Sequence, residues 1–308
     1  MEVIKNTTYS YIRGFNYFPS NVTFLRDVTE MYEEGIWNRE LEFAEKFGAN
    51  TLRIWFDIDS HMRDEKKFIE VFKKIVEQVK RHNMKMMPVL YNCWLDLEHP
   101  FGALYPQEVY SKNRERHYEY IKNVVGTFAN EETIIMWDLC NEPYSFGWND
   151  KCVEQETCFW VDLIKCFREV NPSQPLTMGT HNVVEHTPRV IYELLDVLSC
   201  HPYMGWENDA FAKTLAPHVE NANRMGKALV CTETFQGSLS DETRSLCIER
   251  CKKAFKEVNM GYIGFQLMAG NMISAREDWT DTNAAPGDRG YFPFVLKDGT
   301  IRKGHSLL

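Results

Sequence analysis

Two glutamates carry the first sign of chemistry. Glu142 closes the run TIIMWDLCNE and Glu233 falls at the end of KALVCTET, so each carboxylate follows at once on a stretch apolar enough to be a buried strand. Asn141 stands beside the first of them. Two carboxyl groups aimed into one cleft can divide their roles when their surroundings separate their proton affinities, one staying protonated as an acid and the other ionised as a nucleophile. That division suits cleavage of a glycosidic bond. Carboxyls about 5–5.5 Å apart go with a covalent sugar–enzyme intermediate, and a gap of about 6.5–9.5 Å with direct attack by water. Other polar residues collect at comparable places. Arg53 and Asp57 flank the end of NTLRIWF, Asn92 ends MKMMPVLYN, and His181 ends PLTMGTH. His201 and Tyr203 end DVLSCHPY, and Gln266 lies in YIGFQLM. A lone polar residue at a strand end is as readily a cap or a solvated group, and Asp57, Asn92 and His181 are open to that reading.

The elements that must position these groups follow from the alternation of patterns. About eight short β-branched or aromatic runs, beginning with YIRGFNYF, are separated by amphipathic stretches such as NRELEFAEKFG and EKKFIEVFKKIVEQVKRHN. The first of these helices is expected to open on Asn38 as its cap and to close on Gly48. This is the pattern of parallel βα units, and eight of them in about 300 residues fit a single (β/α)8 barrel over residues 1–308, with long loops and the active site at the C-terminal ends of the strands. In that barrel, strands four and seven are expected to face one another across the cavity. A doubly wound open sheet is the alternative, but no G-x-G-x-x-G follows an early strand.

Trp94, Trp148, Trp206 and Trp279 fall just past the third, fourth, sixth and eighth runs, so half of the eight tryptophans sit where the loops above the barrel should be. Aromatic faces there suit stacking on sugar rings. The ordered set resembles the clan A glycoside hydrolases, most nearly family 5, the cellulase and mannanase family, over nearly the whole chain. WDLCNEP is similar to that family's strand-four Asn-Glu-Pro motif, CHPY to its strand-six His-x-Tyr, and VCTET to its strand-seven nucleophile. The resemblance implies Glu142 as acid/base, Glu233 as nucleophile in a retaining double displacement, and Asn141 on the sugar 2-hydroxyl. It further implies that Arg53 and Tyr203 hold Glu233 and that His201 lines the site near Glu142. Two positions depart from the pattern: Asn92 stands where the family usually has histidine, and Phe265 with Gln266 where it usually has a tryptophan. Asn92, Gln266 and the four tryptophans are expected to contact substrate. An endo-acting β-glycanase and a transglycosylase share this chemistry.

Composition narrows the field. A net charge of −9 argues against a nucleic-acid surface. No apolar run is long enough to span a bilayer, and the N-terminal stretch lacks a basic region followed by an apolar one, so a cytoplasmic protein is expected unless a leader has been removed. The nine cysteines, without a CxxC pair, read as reduced and mostly buried. No cofactor or metal is expected: there is no HxH or HExxH spacing, and the nine histidines are scattered. A non-catalytic carbohydrate-binding barrel would have lost one of the two carboxylates. The segment REDWTDTNAAPGDRGYFPFVLKDGTIRKGH is long and aromatic enough to wall off one end of a cleft, which favours action on chain ends or short oligosaccharides.

Overall fold

A computed structural model of the chain describes residues 2–94, 102–145, 150–181, 183–203, 210–279, 288 and 290–308. Its eight strands are β1 (Arg13–Tyr17), β2 (Thr51–Trp55), β3 (Lys85–Asn92), β4 (Trp137–Asn141), β5 (Leu176–Gly179), β6 (Val197–Cys200), β7 (Ala228–Thr234) and β8 (Gly261–Gly264). Seven of them fall within one of the eight apolar runs each, and β8 begins one residue ahead of its run, at Gly261. All ladders are parallel, and the strand order β5-β4-β3-β2-β1-β8-β7-β6 is that of a barrel with one seam, between β5 and β6. Side chains stitch the seam: Thr177 Oγ1 donates to the Val197 carbonyl at 2.8 Å and Thr180 Oγ1 to that of Ser199 at 2.6 Å. The expected (β/α)8 architecture is therefore the observed one.

Three details differ from the expectation. The first large helix runs Glu34–Lys46, so Asn38 lies inside it, while Gly48 ends it as expected in a left-handed conformation (φ 73°). The run around Ile134 touches β3 only at an isolated bridge between Ile134 and Met86, and the regular strand begins at Trp137. Moreover β4 and β7 stand three places apart around the ring; the strand opposite β4 is β8.

The core has two parts. Ile12, Met87, Met136, Val197, Ala228, Val230 and Ile263 form one small buried cluster within the ring of strands, and a far larger one lies between strands and helices. Polar side chains, several of them fully buried, occupy the C-terminal ends of the same strands.

Candidate active site

Arg53, fully buried on β2, is the centre of the site. Its Nε and Nη2 both lie 2.9 Å from Asp138 Oδ2, Nη1 donates to Asn16 Oδ1 (2.8 Å) and to Glu233 Oε2 (3.1 Å), and Nη2 donates to Asn141 Oδ1 (2.9 Å). The guanidinium thus ties β1, β2, β4 and β7 together. Planar forks of this kind suit several acceptors at fixed angles. Glu233 takes a second bond from the Tyr203 hydroxyl at 2.8 Å. Across from it, His201 Nδ1 lies 3.0 Å from Glu142 Oε1, while His201 Nε2 lies 3.0 Å from Thr232 Oγ1. His181 Nδ1 is 3.9 Å from the same Glu142 oxygen, and its Nε2 is 3.1 Å from Ser145 Oγ.

The backbone accommodates this crowding at two points. A methyl group on Gly179 would stand 2.8 Å from both Arg53 Nη2 and His201 Nε2, so the β5 exit must be glycine for those side chains to meet. Glu142 itself has φ 50°, a conformation rare for a residue with a Cβ, secured by its N–H donating to the Gly179 carbonyl at 2.8 Å. Such a conformation persists only where the surroundings impose it.

Burial, the largest influence on both carboxyls, raises their proton affinity, and the charge of Glu142 adds to this at Glu233, which stays raised. His181, His201 and Arg53 outweigh burial at Glu142 and draw it down to about 2. That pull depends on imidazolium, and burial lowers His181 below its ordinary value. An ionised Glu142 beside an imidazolium holds the same single proton as a protonated Glu142 beside a neutral imidazole. Arginine, by contrast, keeps its charge. The permanent cation touches Glu233 at 3.1 Å, while the His201 imidazole lies 3.0 Å from Glu142 and 3.9 Å from Glu233, so that one proton can be shared among the two carboxyls and the ring between them. One donor atom each from Glu142, His201 and Glu233 lie within 4.8 Å of one another, close enough to surround a small cation. These donors are already hydrogen-bonded among themselves and to Tyr203 and Thr232, with the Arg53 guanidinium against Glu233, so the group reads as a proton-sharing cluster.

Of the residues singled out in the sequence, Glu142, Glu233, Arg53, Asn141, His201 and Tyr203 converge, and His181 joins them. Asn92 is spent on the protein: its Oδ1 accepts from Asn141 Nδ2 (3.0 Å) and Trp94 N (3.1 Å), and its Nδ2 donates to the carbonyls of Trp94 and Gly102. It braces Asn141 and the backbone at Trp94 and Gly102. Gln266 is likewise enclosed, with no solvent-accessible surface, and its Oε1 faces Ser274 Oγ at 3.4 Å. Its neighbour Phe265, just past the end of β8, is buried as well. Asp57 caps the helix Ile58–Arg63 by accepting from Asp59 N (2.9 Å), and burial pushes it up to about 6. It lines a separate cavity of about 260 Å³ between the exits of β2 and β3. Trp94 and Trp279 are half-buried and touch each other; Trp148 and Trp206 lie outside the described residues. Sequence reasoning missed Asn16, Asp138, Gly179 and Thr232. Asp138 had a visible signal, a charge in the middle of an apolar strand, which must find a buried partner.

A parallel eight-stranded barrel with its polar cluster at the strand exits places the chain among the (β/α)8 barrels that keep their functional groups at that face. Residues 12–271 match the model of the cellulase family, glycosyl hydrolase family 5, and the chain belongs to that family. Its fold is similar to that of an exo-β-1,4-mannosidase from Opitutaceae bacterium strain TAV5 (TM-score 0.71, 15% identity, covering 99% of this chain and 60% of that one). It is also similar to that of a hyperthermostable endo-1,4-β-D-mannanase from Thermotoga petrophila RKU-1 (TM-score 0.66, 15% identity, 94% and 96%). A β-glucuronidase of Sus scrofa is 28% identical over 108 residues, a match that spans 35% of this chain and 15% of that protein.

Proposed function

We propose that the chain is a retaining β-glycosidase that cleaves a β-linked oligosaccharide or glycoside through a covalent glycosyl-enzyme. The observation that supports this best is the closeness of the two carboxyls, with an oxygen of Glu142 within 4.8 Å of one of Glu233. That spacing goes with retention and leaves no room for the water that inversion requires. In the first step Glu142 gives its proton to the glycosidic oxygen as Glu233 attacks the anomeric carbon, and the bond to the leaving group breaks. In the second, Glu142 takes a proton from water, whose oxygen displaces Glu233 from that carbon. Arg53 and Tyr203 aim Glu233. With Asn141 Oδ1 claimed by Arg53 and one N–H by Asn92, the other N–H of the amide is left to hold the sugar 2-hydroxyl. The relatives named above, a mannosidase, a mannanase and a glucuronidase, are β-specific by name, which agrees with a β-linked substrate.

A panel of aryl β-glycosides in gluco, galacto, manno, xylo and arabino configurations tests the reading with wild type and Glu233→Ala. The variant is expected to lose at least about 1000-fold in turnover, with azide restoring it as a glycosyl azide of inverted configuration. Normal turnover by Glu233→Ala, or an inverted sugar released by wild type, would sink the proposal.

A further inference from the structure

Resting on the assignment of Glu142 as proton donor, we infer that the cleft ends at the reacting sugar, so that the enzyme removes single residues from the non-reducing end of a β-linked chain. The geometry behind this is an aromatic bridge. Trp94 follows the exit of β3 and Trp279 lies beyond that of β8, and their ring centroids are 6.0 Å apart with the planes at 88°. Only β2 and β1 stand between β3 and β8 in that part of the ring, so the pair spans both exits. Trp279 in turn meets Phe292 at 6.0 Å, and Phe292 meets Phe265 at 5.2 Å and Tyr203 at 6.0 Å. Tyr203 is the residue whose hydroxyl holds Glu233. A continuous series of ring contacts therefore runs from the β3 exit to the nucleophile's own partner. The Trp94 backbone is pinned at both its N–H and its carbonyl by the Asn92 amide.

The direction of the substrate decides what this bridge does. The leaving group must lie against its proton donor, at the exit of β4, so the far end of the sugar points away from β4. Opposite β4 stands β8, with β1 beside it, which is within the sector the bridge spans. A further sugar on the non-reducing side would have to pass through the indoles. A stacking platform offers a ring face to an open groove, whereas these two indoles meet edge to face and spend that contact on each other. A terminal residue fits beneath such a wall, and an internal one is excluded by clash.

The test uses the tetrasaccharide of whichever sugar the aryl panel selects, with and without a bulky acetal on its non-reducing residue. Wild type is expected to shorten the open chain one residue at a time and to cut the capped chain at least about 100-fold more slowly. Trp279→Ala is expected to raise the capped-to-open rate ratio at least about tenfold, and Trp94→Ala removes the other half of the bridge should the first variant not fold. Capped chains cut by wild type at a comparable rate, or dimers appearing before trimers, would overturn the inference. The two-carboxylate reading fails in a different way: aryl glycosides would be left intact by wild type or cut normally by Glu233→Ala.

Discussion

At the scale of single residues, Arg53 shows why a charge can be buried at no net loss to function. Every hydrogen bond it makes is to an oxygen acceptor, and one of these, Asp138, supplies the full compensating charge from within the barrel. The remaining donors are then free to orient Asn16, Asn141 and Glu233. Lysine keeps the charge and loses the fork, so Arg53→Lys is expected to lower kcat/KM on aryl glycosides by roughly 100-fold. The pH profile should change as well. Arg53 opposes protonation of Glu233, so displacing the cation raises that carboxyl further, and the acid limb should move to higher pH. A variant with an unmoved acid limb would show that the guanidinium only positions its neighbours.

At the scale of elements, the exposed question is how β5 and β6 close a barrel without a ladder. Threonine hydroxyls stand in for the missing backbone bonds, at Thr177 and Thr180, both fully buried. Valine has nearly the same shape but no donor, and it leaves the opposing carbonyl unpaired. Each of Thr177→Val and Thr180→Val should therefore cost roughly 1–3 kcal/mol, read as a lower urea midpoint. An unchanged midpoint would mean that packing and the bonds between Asp196 and Leu176 hold the seam without them. This seam matters to the site because Gly179 ends β5 and His201 follows β6, and the two approach each other at the limit of contact.

At the scale of the whole molecule, buried titratable groups set the pH range of stability. Burial, with Arg116 and Arg114 nearby, holds His117 down to about 4, and burial, Arg244 and Arg302 hold His305 down to about 3. Both stay neutral in the folded chain while an unfolded histidine takes up a proton near pH 6.5. Their contribution is complete above about pH 6.5 and is lost as pH falls towards 4 and then 3. Asp57 acts the other way: raised to about 6 by burial, it favours the folded chain when protonated and loses that contribution as pH rises through about 6. The two histidines should contribute a fall in Tm as pH drops below about 6.5. His305→Asn, which does not titrate, should flatten that fall, and an unaltered slope of Tm against pH would reject the account.

The sequence by itself determined the barrel and its two carboxylates, because both are written in local pattern. Strand and helix periods repeat over a few residues, and a glutamate placed directly after a buried run announces a strand exit. The start of the helix Glu34–Lys46 was less legible, since Glu33 at its N-cap makes no side-chain bond there. What only the tertiary structure decided is which polar groups share a site. Asn16, Asp138 and Gly179 carry no local sign of their partner, Arg53, which reaches across as many as 180 residues of chain to Glu233. It also set Asn92 against Asn141 and joined Trp94 to Trp279. Those contacts depend on strand order and on where each strand ends in the ring, and no short stretch of sequence contains either.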